Sequence, residues 1–425
     1  MPSQQEETMS ASISLNTVYC LADGIELSRQ PSGELTPHAP DASATGLNDA
    51  ALSALAIFAE PKTFRDGVAQ LESMQPGNAP AAALDAVCEL VERGWLIPGA
   101  RTARIAQAAS ATRMPRGMFG CPSQTLEQAL QSDGAQVLFV GMPYDKGATG
   151  RKGSAGGPAY IRQCSKTAFD YTEQAGRAQG WWHPFGQRRV LEGVRFADLG
   201  DLVVGEGPRN DDDFDRIYDV LYSLFQAGRF PVLLGGDHSV SLPAITAAAT
   251  LHPGLGVIHF DAHGDIGALD DMGDWRRNCS HGNFMSWVAA NPNVASVHQF
   301  GLRHLTPDAP HRPDKVCSYW GDGFLDHLDF ILDTLPRDRP YYLTFDVDCL
   351  DLAVVAQTGT PVPGGLSYKE AARALGRLAS RRIVGMDWVE LMPAASADDY
   401  REGTTVSYLM FETLASVFSA RGAEA

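Results

Sequence analysis

Three short segments, far apart in the chain, carry residue types that hold metal ions. They are Asp237-His238-Ser239, Asp261-Ala262-His263-Gly264-Asp265 and Asp346-Val347-Asp348. In extended backbone, residues i, i+2 and i+4 point to one side. Asp261, His263 and Asp265 can therefore face a common site, as can Asp346 and Asp348. Four carboxylates and up to two imidazoles exceed what one ion needs. They suit two adjacent cations that share bridging carboxylates and a water whose pKa the pair lowers. The donors are oxygen-rich, with some nitrogen and no thiolate, which favours Mn²⁺ over structural Zn²⁺, with Ni²⁺ and Fe²⁺ as alternatives. A single aspartate at such a place is more often a turn or helix cap; the concurrence of three segments is what points to metal.

Each segment directly follows an apolar run. PVLLGG (231–236), GVIHF (256–260) and YYLTF (341–345) precede the three, and VLFV (137–140) and RIVGM (382–386) are of the same kind. Continuous apolar runs alternating with helical patterns are the mark of a parallel sheet covered on both faces, so the expected fold is a three-layer α/β/α domain with a mainly parallel sheet. Ligand sites of such sheets lie just beyond the carboxyl ends of the strands. Three segments distant in sequence can thus converge.

Gly235-Gly236-Asp237-His238-Ser239, the segment Asp261 to Asp265 and Phe345-Asp346-Val347-Asp348-Cys349-Leu350-Asp351 resemble the three metal signatures of the ureohydrolase (arginase–agmatinase) family. Thr358 to Leu366 is similar to that family's segment after the third signature, and Gly141 to Asp145 with Gly153 to Arg162 to its opening strand and Gly-rich loop. The resemblance covers about residues 135–420, with the motifs in order. It implies a metal-dependent hydrolase that releases urea from a guanidino substrate, and a homo-oligomer. It implies one metal on His238, Asp261, Asp265 and Asp346, and a second on His263, Asp261, Asp346 and Asp348. Asp265 would then pass a proton to the departing amine. His281 matches the family's proton-shuttle histidine. Glu390 matches the glutamate that grips the guanidinium, a task suited to a carboxylate.

Two departures bear on the substrate. The loop 266–280 (IGALDDMGDWRRNCS) carries Asp270, Asp271, Asp274, Trp275, Arg276 and Arg277 where free-arginine hydrolases hold an α-carboxylate with Asn, Ser and Thr. Asp351 is followed by Leu352 where the family usually has Pro. Ahead of the catalytic part (134–425) lie a polar tail expected to be disordered (1–14), a small unit (15–100) and a linker (101–133). The small unit reads as short strands, three helices and a returning strand at Trp95-Leu96-Ile97. That order resembles winged-helix modules that bind leader peptides in ribosomal-peptide maturation, which would make the chain a peptide arginase acting on an arginine-containing precursor peptide. The alternatives are an agmatinase or guanidino-acid hydrolase with an appended capping or oligomer-stabilising unit, and a non-catalytic binding protein of the same fold.

Composition narrows the classes further. Of 425 residues, 34 are Lys or Arg and 51 are Asp or Glu, a formal charge of −17. That balance argues against nucleic acid, whose phosphates need cations. The seven cysteines are scattered without a C-x-x-C pair, as expected of reduced thiols in a cytoplasmic protein. Neither a secretory signal nor a membrane-spanning run is evident.

Overall fold

The computed structural model describes residues 18–21, 26–29, 35–38, 48–58, 62–74, 80–92, 96–98, 116–205, 211–267, 275–306, 312–396 and 398–423. The chain divides into two compact units, residues 1–106 and 107–425. The polar tail 1–14 lies outside the described residues.

In the first unit, β1 (Val18–Leu21) pairs antiparallel with both β4 (Lys62–Thr63) and β5 (Leu96–Pro98). Strands β2 (Glu26–Arg29) and β3 (Leu35–His38) form a separate hairpin. Three helices, α1 (Asp49–Ile57), α2 (Phe64–Met74) and α3 (Pro80–Glu92), enclose a core of Ala51, Leu55, Phe58, Leu71, Val87 and Leu90. Helix α1 starts where Asn48 Oδ1 accepts the Ala51 N–H at 2.8 Å, which satisfies one of the four unpaired amides of a helix start. The strands-then-helices order expected from the apolar pattern is present, with Lys62–Thr63 as an added strand.

The second unit is built on eight strands: β6 (Val137–Gly141), β7 (Phe196–Asp201), β8 (Phe230–Leu234), β9 (Leu255–Phe260), β10 (Val294–Leu302), β11 (Val316–Trp320), β12 (Pro340–Asp346) and β13 (Arg382–Val389). They lie in the order β7-β6-β8-β13-β12-β9-β10-β11, and every pairing is parallel. Helices α5 (Asp211–Gln226), α6 (Ser241–Leu251) and α7 (Phe284–Ala290) pack together as one layer. A second group comprises α4 (Gly157–Ala168), α8 (Leu328–Thr334), α9 (Tyr368–Leu378) and α10 (Arg401–Ala423). The three-layer α/β/α architecture is the expected one. Between the layers the central strands β6, β8, β9, β12 and β13 are buried along almost their whole length, which is why they read as unbroken apolar runs; the Phe345 and Trp388 rings, for example, pack at a tilt with centroids 4.3 Å apart.

One boundary differs from expectation. Residues 116–133 are not linker: Met118 and Phe119 are fully buried, and Phe119 packs edge-on to Phe139, Phe169 and Phe411. Phe119 takes a left-handed backbone (φ 55) to reach that position. Helix α4 is tied to β7 by buried Arg162, whose guanidinium donates to Asp198 through Nε at 2.8 Å and Nη2 at 3.0 Å and also meets Asp201. Two neighbouring carboxylates outweigh the cost of burying this cation.

Candidate metal centre

Four strands that are neighbours in the sheet, β8, β13, β12 and β9, end at one place. The register sets Phe260 beside Phe345 and Phe345 beside Trp388. The residues that follow them, Asp261 and Asp346, therefore emerge side by side. The turn after β8 needs Gly236, because a Cβ there would lie 1.6 Å from Tyr144 O. The close approach lets the Asp237 N–H donate to that same carbonyl at 2.8 Å.

His238 Nδ1 lies 3.0 Å from Asp261 Oδ2, 3.2 Å from Asp346 Oδ2 and 3.4 Å from Asp265 Oδ2. It makes no hydrogen bond with any of them. A buried ring nitrogen facing three carboxylates without bonding one is what a metal ligand looks like without its ion. Its other nitrogen, Nε2, is 2.8 Å from Thr344 Oγ1. Beside it, His263 Nδ1 is 3.0 Å from Asp348 Oδ2 and 3.2 Å from Asp261 Oδ1. Asp261 thus stands between two nests of donors. His238, His259, Asp261 and Asp265 form one cluster able to hold a cation, and Asp261, His263 and Asp348 a second. All six residues expected as ligands come together here, and the donor set fits divalent cations. Asp265 adopts a left-handed backbone (φ 49), a strain that concentrates at functional sites.

The electrostatics show how much the cluster needs positive charge. Burial, then neighbouring carboxylates, push Asp265 and Asp346 well above the usual carboxylate range. Burial also pushes Asp261 up, but the three imidazoles around it, His238, His259 and His263, outweigh it and hold that carboxyl well below its ordinary value. Burial opposes charge on the imidazoles too, yet the carboxylates raise His238 to about 9 and His263 to about 12.

Glu390, one residue beyond β13, is 1% exposed and also left-handed (φ 64). Its Oε1 accepts the His238 N–H at 2.9 Å and lies 2.9 Å from His281 Nδ1. Its Oε2 is buried without a partner. His281 Nε2 accepts the Thr149 N–H at 3.0 Å and is 2.8 Å from Thr149 Oγ1. Burial lowers the His281 pKa, but Glu390 outweighs this and raises it. The Gly-rich loop is fastened here twice more, by the Gly147 N–H on Asp237 Oδ2 at 2.8 Å and the His281 N–H on Gly147 O at 3.1 Å. Asp237 itself is raised to about 7, by burial first and by the nearby Glu390 charge second.

Several participants carried no separable signal. His259 sits within an apolar run, and Thr149 within a glycine-rich loop. Arg303 follows a strand that was not expected; its guanidinium donates to Asp348 O at 2.6 Å, Val362 O at 2.7 Å and Pro363 O at 3.1 Å, joining the third signature to the segment behind it. Asp270, Asp271 and Asp274 lie outside the described residues. Trp275 stacks on Phe214 at 5.7 Å, and Arg276 and Arg277 fall in the short helix that it opens.

Comparison with known proteins agrees with this geometry. The family model described as the arginase family matches residues 135–415. The agmatinase of Proteus mirabilis is 35% identical over 274 residues, 63% of this chain and 83% of that protein. That of Photorhabdus laumondii is 32% identical over 295 residues, 67% and 89% of the two chains. Among solved structures, a hypothetical agmatinase from Burkholderia thailandensis superposes with a TM-score of 0.61 at 25% identity, over 74% of this chain and 93% of that one. Proclavaminate amidino hydrolase from Streptomyces clavuligerus gives 0.59 at 25%, over 73% and 100%. The chain belongs to the arginase family and is a guanidino ureohydrolase of that family.

Proposed function

We propose that the protein hydrolyses the guanidinium of a free small molecule, agmatine or a close relative, to urea and a primary amine. The observation that carries this reading is Glu390, whose buried Oε2 is left to accept guanidinium N–H groups while Oε1 is held by His238 and His281. The free-substrate reading is favoured over the peptide one because the similar proteins from Proteus and Photorhabdus are agmatinases.

His238, Asp261, Asp265 and Asp346 would hold one cation, and His263, Asp261, Asp346 and Asp348 the other, with Mn²⁺ the first choice for the donor set. When bound, the pair supplies a hydroxide near neutral pH. The residues of the chain do the rest. Glu390 anchors the guanidinium and fixes its carbon in attack geometry. Asp265 takes the nucleophile's proton and delivers it to the departing nitrogen as the C–N bond breaks. His281, buried and pinned between Thr149 and Glu390, keeps that carboxylate aimed and relays protons. Scattered cysteines are the ground for placing the protein in the cytoplasm, and the family resemblance for a homo-oligomer.

A second reading, peptidyl arginine as the substrate, rests on the unit 1–106, which lies outside the family match and carries a small antiparallel sheet, the kind of element to which an extended peptide can add as a strand. Urea release by the Mn²⁺-loaded protein on agmatine, a guanidino acid, arginine and an arginine-containing peptide separates the two. Turnover of a free guanidine supports the first reading; urea from the peptide alone overturns it.

A further inference from the structure

One residue pair inside the sheet from the metal centre, a row of polar side chains crosses the buried strands. The register aligns Thr344 of β12 with His259 of β9, His259 with Gln299 of β10, and Gln299 with Ser318 of β11. Thr344, His259 and Gln299 are fully buried. Polar groups so deep are costly unless each finds a partner, and here they do.

The bonds have one consistent direction. Gln299 Nε2 lies 2.7 Å from Gly264 O, which can only accept, so the amide nitrogen must face that way. Its Oε1 then takes the Ser318 hydroxyl at 2.9 Å. The second amide hydrogen points to His259 Nδ1 at 3.0 Å, so that nitrogen carries the lone pair and Nε2 the proton. His259 Nε2–H in turn donates to Asp261 Oδ2 at 2.9 Å. At the other end, Thr344 Oγ1 donates to Ser241 Oγ at 3.3 Å and so receives the His238 Nε2–H at 2.8 Å. His238 Nδ1 is left as a lone pair facing the carboxylates.

We propose that Thr344, His259, Gln299 and Ser318 form a positioning layer that presets the centre. In this layer His259 is the chain's own donor to the shared carboxylate Asp261, not a ligand, although it lies within the cluster that could hold a cation. Gln299 fixes the His259 tautomer and, through Gly264 O, the loop 261–265. Thr344 fixes that of His238. This inference rests on the metal-centre reading. Groups that orient metal ligands in this way alter affinity by about 10–100-fold when removed.

The test uses the full-length protein stripped by chelator and titrated with Mn²⁺ by calorimetry, with folding followed by circular dichroism. His259→Leu removes the donor, whereas His259→Gln can place an amide N–H where Nε2–H was. His259→Leu is expected to weaken Mn²⁺ binding by about 10–100-fold, with His259→Gln recovering most of it. With metal saturating, KM for the guanidine should stay unchanged. If His259→Leu binds as the parent does, or His259→Gln loses as much as His259→Leu, the proposal is overturned. Should His259→Leu not fold, Gln299→Leu decides: roughly tenfold weaker binding supports the layer and unchanged binding overturns it. A parent protein that takes up no Mn²⁺ would sink the metal centre itself, a different failure from variants that bind normally.

Discussion

Replacing Glu390 by glutamine tests how the guanidinium is held. The two donors on Oε1, His238 N–H and His281 Nδ1, each at 2.9 Å, would keep the amide oxygen in that position. The new NH₂ would then occupy the place of Oε2, where it opposes the guanidinium N–H groups instead of accepting from them. The substitution forfeits a charge-assisted bond, about 1.5–3 kcal/mol, and leaves a donor unmet, about 1–3 kcal/mol. Together that is about 2.5–6 kcal/mol, which brackets the roughly 3–5 kcal/mol for breaking a buried ion pair. At 1.36 kcal/mol per decade, kcat/KM for agmatine should fall by about 10²–10⁴-fold. Urea release measures this, alongside Mn²⁺ content, which should stay at the parent level because Glu390 is not among the proposed ligands. A loss below tenfold, or one that tracks lost metal, refutes the anchoring role.

Other perturbations probe separate parts of the molecule. Asp346→Ala removes a shared carboxylate, and urea release should drop by roughly 10³-fold or more with fewer than two cations retained; appreciable turnover would contradict the ligand set. In metal-free protein, His238 stabilises the fold fully below its ordinary 6.5 and loses that contribution as pH rises through about 9. Asp265 and Asp346, raised as well, become unfavourable once ionised, which acts in the same direction. The gain in Tm on adding Mn²⁺ should therefore grow between pH 6.5 and 9; a gain independent of pH counts against the cluster's charge balance. Arg162→Met leaves Asp198 and Asp201 of β7 without their cation and should cost about 3–5 kcal/mol in denaturant unfolding; a change under about 1 kcal/mol would show the pair is dispensable.

The ligand residues were legible because the chemistry is written in local spacing: alternation put Asp261, His263 and Asp265 on one side, and each segment followed a buried strand. What stayed hidden depends on partners remote in sequence. Strand β10 (VASVHQFGL) has no clear signature in the sequence because His298 and Gln299 break its apolar run, and Gln299 finds its partners only in His259, Gly264 and Ser318. Strand β7 carries Asp198 and Asp201, which read as surface charges until Arg162 is seen beside them. Strand β11 is an edge strand and half-exposed, so its pattern is weak. Phe119 carries little signal because a lone aromatic in the short run Gly117-Met118-Phe119-Gly120-Cys121, with no strand or helix period around it, says nothing of the four rings it meets. In the first unit the helical periodicity was clear, since α1, α2 and α3 share a local core. No described helix is long and apolar enough to cross a membrane, and Cys88, Cys121, Cys164, Cys279, Cys317 and Cys349 form no disulfide.

The most direct test is anomalous diffraction at the manganese edge from crystals grown with Mn²⁺. Two peaks are expected, one against His238, Asp261, Asp265 and Asp346 and the other against His263, Asp261, Asp346 and Asp348. A single peak, or peaks elsewhere on the molecule, would contradict a paired metal centre at the ends of these four strands.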